Sequence, residues 1–241
     1  MLTPRFFHSR AVAALVLLAA IAFPVFAQKR RVPPGGNIAV VADERLAALR
    51  VAPNLNARLI QRLSRGRFVS VRTTRRNYEG VFFSHVVVTR RTSGWVQSEA
   101  LVMSGRSGDD ERLAHLIGGI DEFERVARAR IFIDTFPRSP LRPKILLGLG
   151  DAAEEAAAQL TREATRRFER REIPTDGAPD FSYYLNYNGL DRYNRQGVTF
   201  TFDREKKQFH YDGAAWREIV RKYQKSPEAT EAAKRLANLK H

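Results

Sequence analysis

Two periodicities divide the chain. From Ile38 to Leu101, short runs of β-branched and aromatic residues are broken by Pro, Asn and Gly, the pattern of strands joined by hairpins. Ile38–Ala42 predicts a first strand, and Asp43–Ala48 a loop or helical turn. A longer run from Gly80 to Thr89 holds Val81-Phe82-Phe83 and Val86-Val87-Val88. It predicts a hairpin strand buried on both faces for part of its length. Gly94-Trp95-Val96 and Ala100-Leu101 close the segment.

The spacing changes at Asp109. Leu113, Leu116, Ile117, Ile120, Phe123, Ala127 and Ile131 recur every three or four residues, which predicts one apolar helix face. Asp109, Asp110 and Glu111 place acids at its start, Gly118-Gly119 kink it, and Pro137 ends it. Ser139-Pro140 and Pro143 suit the cap and first turn of a second helix, which carries Ile145, Leu149, Ala152, Ala156, Leu160, Ala164 and Phe168 towards Arg171. Gly148, Gly150 and the alanines of that helix admit a close neighbour. Residues 173–196 have no clear period and read mostly as loop. Val198–Phe202 and Gln208–Tyr211 predict a hairpin around a turn at 203–207, and helices follow over 213–224 and 227–240, the latter capped by Ser226.

The organisation expected is therefore a leader at 1–27, a Pro- and Gly-rich linker at 28–37, a β domain at 38–106, and a helical region at 109–241 with a hairpin insertion near 197–211. The leader reading rests on Arg5 and Arg10, the uncharged run Ala11–Phe23, and small residues at Val25 and Ala27. That order is a secretory signal, cut between Ala27 and Gln28. The rival reading is an uncleaved anchor, for which the run is short. No other run is long enough to span a membrane.

Two stretches resemble known families. Leu49-Arg50-Val51-Ala52-Pro53, the strand before Arg65-Gly66, Phe68-Val69-Ser70-Val71 and the late Gly94-Trp95-Val96 resemble the bacterial SH3 domain. Ala52 departs from that pattern, where the family usually has glycine. The resemblance implies a small β-barrel that binds a ligand and does not catalyse. Phe136-Pro137-Arg138-Ser139-Pro140 lines up with Tyr223-Gln224-Lys225-Ser226-Pro227, and Phe132 with Ile219, at an offset of 87 residues. This aromatic-x-x-Ser-Pro joint between amphipathic helices resembles tetratricopeptide-like repeats of exported bacterial proteins, although adjacent repeats recur at about 34 residues. The fold class expected is α+β: an SH3-like barrel, then a tetratricopeptide-like region with a hairpin insertion.

Charge is uneven. Without residues 1–27 the chain has 39 Lys and Arg against 26 Asp and Glu, a net +13. Residues 28–107 hold 15 cations and four acids, a net +11. Basicity alone suggests nucleic acid. Export redirects that expectation to an anionic envelope component, a cell-wall peptide or glycan, or an envelope protein. Arginine supplies 33 of the 41 cations, a general surface preference that does not account for the asymmetry.

The chain has no cysteine, which removes disulfides, thiolate nucleophiles and Cys-ligated metals. His85, His115, His210 and His241 lack metal-ligand spacing, and HExxH, GxSxG and Walker motifs are absent. No cofactor is expected. Asp151, Glu154 and Glu155 read as partners of Arg162, Arg166 and Arg167 along one helix; the alternative is a carboxylate-dependent wall hydrolase. Candidate ligand residues are Arg75, Arg76, Tyr78, Arg90, Arg91 and Trp95. Trp95 reads first as core or half-core, and His85 as core or edge. Tyr183, Tyr184, Tyr187 and Tyr193 either line a groove or pack a loop onto the helices.

The function expected is an exported, non-enzymatic protein, periplasmic or extracellular, whose β domain binds an envelope ligand. The second reading is an assembly adaptor holding a protein through its helical half. Mass measurement of the exported product should show Gln28 as its first residue; a product that keeps Met1 would contradict the signal reading.

Overall fold

The computed structural model describes residues 36–118, 121–169 and 178–239. The expected signal, its Ala27–Gln28 cleavage point and nearly all of the 28–37 linker lie outside these residues, as do Gly119 and Ile120.

The first half is one antiparallel sheet. Its strands are β1 (Asn37–Val41), β2 (Ala48–Arg50), β3 (Leu59–Arg62), β4 (Phe68–Arg76), β5 (Phe82–Thr89), β6 (Thr92–Gln97) and β7 (Leu101–Val102), with a 3-10 turn at Ser98–Ala100. The order is β3-β2-β6-β5-β4-β1-β7, and β3 and β7 end the sheet without pairing to each other. The sheet is thus open, not a hydrogen-bonded closed barrel.

Alternation along the strands builds two cores. Ala39 and Val41 of β1 join Leu49, Leu63, Val69, Val86, Val96 and Leu101 in a cluster belonging to the sheet alone. Val40, Ala42 and Val102 join Leu113, Val126 and Phe132 in the cluster built mainly by the helices. Each large apolar side chain so buried contributes about 1.5–3 kcal/mol. The expected boundary between Met103 and Asp109 is therefore crossed by shared packing, and the described residues fall in one compact unit.

The second half contains α1 (Asp109–Ile117), α2 (Glu122–Thr135), α3 (Arg142–Glu169), α4 (Asp180–Leu185), α5 (Asp191–Asn194), α6 (Ala214–Lys222) and α7 (Pro227–Asn238). The hairpin β8 (Phe200–Asp203) and β9 (Gln208–Tyr211) precedes α6. The single kinked helix expected from Asp109 is two helices. Gly118 leaves α1 in extended backbone (φ −73°, ψ 146°), and Asp121 restarts the helix by accepting from the Glu124 amide at 2.9 Å. The expected loop before the hairpin also holds short helices, α4 and α5, too short to show a period.

α3 is the central column. Ala152, Ala153, Ala156, Ala157 and Leu160 are buried along it. Gly150 lets α6 approach, since a Cβ there would run into the Trp216 indole; Gly148 has no such neighbour. The two similar joints share one geometry. Phe136 and Tyr223 end α2 and α6 with φ near one value (−121° and −126°). Each donates its amide 2.8 Å to the residue four back, Phe132 or Ile219. Ser226 occupies the position before α7, but its hydroxyl makes no capping bond.

A buried carboxylate fixes the helices to the sheet. Asp109, 3% exposed, accepts from the Met103 amide at 2.8 Å and from Arg106 Nε at 2.8 Å. Arg112 pairs with it at 3.3 Å, and both guanidinium groups also donate to the Leu101 carbonyl of β7. The stretch Ser104–Gly108 between β7 and α1 is thereby clamped. A second bridge runs from Arg65, between β3 and β4, to Glu124 of α2 at 2.6 Å and Glu44 at 3.2 Å.

Asp109→Ala strands the Met103 amide and both arginines and should cost about 1–3 kcal/mol in denaturant unfolding; an unchanged midpoint would contradict the clamp. Tyr193 and Tyr211 are buried, which pushes each phenol up to about 12. The unfolded phenols ionise near pH 10, so only the unfolded state releases these protons between about pH 10 and 12, and stability falls as pH rises through that window. The Tyr193→Phe/Tyr211→Phe double variant should lose less melting temperature across it than the parent; equal losses would contradict the burial argument.

Candidate functional site

The strand alternation that fills the sheet's own core sends a different set of side chains to the other face. In β6, Gly94 and Val96 are buried while Trp95 between them is half-buried. Gly94 is required by a crossing strand: a Cβ there would lie 2.6 Å from the Arg50 carbonyl oxygen. Val96 belongs to the sheet core. Trp95 therefore lies on the face opposite Gly94 and Val96, half-buried, which fits the half-core reading and leaves it out of the sheet core.

The register carries Trp95 into a row across five strands. Leu59 of β3 pairs with Arg50 of β2, Arg50 with Trp95, Trp95 with His85 of β5, and His85 with Thr73 of β4. His85 meets the indole edge-on, with ring centres 5.1 Å apart. Arg75, two residues along β4 from Thr73, sets its guanidinium 5.5 Å from the indole centre. Arg50 donates to the Ala57 carbonyl at 2.7 Å, which fixes its side chain beside the β2–β3 loop. Leu59, 42% exposed, forms an apolar end to the row. The result is a flat ring, a cation on its face, an imidazole on its edge and a second cation next in register. A guanidinium over an indole contributes about 0.5–1 kcal/mol at exposed sites.

Of the six expected ligand residues, the fold brings together Arg75 and Trp95. Arg76 and Tyr78 lie at the β4–β5 tip. There Arg76 stacks 5.6 Å from the Phe82 ring and donates to the Gly80 carbonyl, while Tyr78 is 81% exposed. Arg90 and Arg91 form the β5–β6 turn at the other end of β5, an eight-residue strand. At about 3.3 Å per residue the two arginine pairs are roughly 26 Å apart, beyond the ~8–10 Å screening length. They do not form one patch. Arg50 and His85 were not among the six. Their signal in the sequence is faint, because Arg50 reads as part of a turn motif and His85 lies in an apolar run.

The electrostatics of the sheet segment are one-sided. Asp43 is engaged by Arg45, whose hydrogen bond is the main reason the carboxyl lies below its usual range. Glu44 is engaged by Arg65. Among the described residues, no acid pairs with Arg58, Arg62, Arg67, Arg72, Arg90 or Arg91, nor with Arg50, Arg75 or Arg76.

The helical carboxylates are structural ties. Asp151 pairs with Arg235 of α7 at 3.1 Å, and Glu155 with Arg125 of α2. Glu154 holds His210 at 3.0 Å and the Tyr211 amide at 2.7 Å. The expected links to arginines along α3 are replaced by ties to three neighbouring elements. Tyr184, Tyr187 and Tyr193 are buried and pack onto the helices, with Tyr184 stacked on Phe202 at 5.0 Å and Tyr187 donating to Glu163 at 2.8 Å. Tyr183 is half-buried beside Phe168 and, with Arg167 and Asn186, rims a cleft of about 500 Å³. Among the described residues, no group of His, Cys, Asp and Glu is placed to hold a metal ion, and no helix is long and apolar enough to cross a membrane.

Gly94→Ala should destabilise the chain by about 1–3 kcal/mol, the usual cost of overpacking, measured by denaturant unfolding; a neutral effect would contradict the close crossing of β2. Comparisons of the chain with protein-family models, curated proteins and solved structures find no match.

Proposed function

We propose that the chain is an exported, non-enzymatic binding protein of the cell envelope, periplasmic or extracellular. In this reading residues 38–106 act as a bacterial SH3-like module that recognises a cell-wall peptide or glycan, or another anionic envelope component. The observation that carries the reading is the outward row of Arg50, Trp95 and His85 with Arg75 stacked on the indole. A flat apolar ring flanked by cations suits a ligand that has both a carboxylate and an apolar surface. The arginines without acid partners supply long-range attraction, and the row supplies specificity. The pairing of β1 with both β4 and β7, and the 3-10 turn before β7, support the SH3-like reading. The helical half serves as a scaffold of tetratricopeptide-like kind; the two equivalent joints after α2 and α6 support that part.

The test is retention of the mature chain on isolated wall material and on polyglutamate, with melting temperature followed in parallel. Each exposed charge contact contributes about 0.2–1 kcal/mol. Arg75→Glu should weaken retention by roughly tenfold, because reversal adds repulsion to the lost contact. Trp95→Ala should weaken retention on wall material more than on polyglutamate. Arg90→Glu/Arg91→Glu should act only modestly, and added salt should weaken the parent. Retention insensitive to salt and to all of these changes would remove the sheet as the binding surface and put the adaptor reading first.

A further inference from the structure

The two helical hairpins, α2–α3 and α6–α7, correspond at the 87-residue offset, and the correspondence extends beyond the joint. Ile133, Leu146 and Gly150 of the first hairpin match Val220, Ala233 and Ala237 of the second. In the first hairpin these positions are buried, with Ile133 at 7% and Leu146 at 2% exposure. On α3 this hairpin meets α6: the Trp216 ring lies against Gly150, and Glu218 pairs with Arg142 at 3.1 Å. In the second hairpin Val220 is half-buried and Ala233 and Ala237 are exposed. They line an open groove of about 660 Å³ together with Ala229, Thr230 and Lys234. The inner faces correspond as well. Ala232 and Leu236 of α7 stand where α3 has Ile145 and Leu149, and all four pack in the helical core. The groove is thus the α6-receiving face of the hairpin, repeated once more with nothing of the described chain upon it.

We propose that this groove receives an amphipathic α-helix from a partner protein, seated as α6 is seated on the first hairpin. The partner's chemistry follows from the lining. Ala237 carries a methyl where Gly150 has none, so an indole cannot approach as Trp216 does; leucine or isoleucine fits in its place. Arg221 and Lys225 beside the groove are exposed and have no acid partner among the described residues. Acidic residues on the flanks of the partner helix complement them. The chain's own strong positive charge, +15 over the full sequence, opposes a second copy as the occupant. The inference concerns the helical half and does not depend on what the sheet binds.

The probe is a short stapled helical peptide with valine, leucine and isoleucine at the spacing of Ala215, Trp216 and Ile219, the buried residues of α6, and with glutamates on its flanks. Fluorescence anisotropy should show saturable binding to the mature chain. Ala233→Gln and Ala237→Gln add bulk without charge at exposed positions; each should weaken binding at least tenfold with the melting temperature unchanged. A peptide of the same composition with scrambled apolar spacing should not bind. Absence of saturable binding, parent-like affinity of both variants, or equal binding of the scrambled peptide would overturn the proposal. So would concentration-dependent self-association in sedimentation that Ala233→Gln abolishes, since a second copy would then be the occupant. The Arg75→Glu and Trp95→Ala variants should bind the peptide like the parent, so failure of this proposal and failure of the sheet reading are separable.

Discussion

A strand with a core on one face must send every second side chain to the other. This constraint organises both faces of the sheet. In β1 it gives Ala39 and Val41 to the sheet's core and Val40 to the helical core, and Ala42 just after the strand continues the alternation, so one short segment joins the two. In β6 it buries Gly94 and Val96 and leaves Trp95 outside. The outward row is therefore a consequence of core packing: as long as Val96 and Val86 fill the interior, Trp95 and His85 cannot. A one-residue slip of β6 would bury a tryptophan and expose a valine, which the crowding of Gly94 under β2 forbids.

Polar bridges then hold the halves in one register. Asp109 is nearly inaccessible to water, yet it accepts bonds from an amide and two guanidinium groups, so its charge is compensated where it lies. Arg65 does similar work between the sheet and α2. Around α3 the ties radiate to α2, α7 and β9 through Glu155, Asp151 and Glu154. The acids of this basic chain are largely spent on internal contacts in the helical half. The sheet is left with unpaired arginines, so its positive field is a product of where the acids went.

Much of the fold was legible because its signals are local or periodic. The long apolar face from Ile145 to Phe168, the β8–β9 hairpin, and the strand from Phe82 to Thr89 all follow from spacing. The shared Phe136 and Tyr223 joints were visible as a residue match and have matching backbone geometry. The misreadings have physical causes. Gly118 was read as a kink, but with Asp121 available as a cap, two helices satisfy the backbone better than one bent helix. α4 and α5 are too short for a period to register. Arg50 and His85 could be found only from cross-strand register, which no local pattern encodes.

The central claim is that ligand contacts the outward row of the sheet. The chain has two tryptophans, and they are well placed to test it. Trp95 sits in the row, whereas Trp216 is 1% exposed in the helical core. In a two-dimensional NMR titration of the mature chain with soluble wall fragments, the Trp95 indole N–H signal should shift saturably while that of Trp216 stays in place. A saturable titration in which the Trp95 signal does not move, with shifts confined to the helical half, would contradict the account.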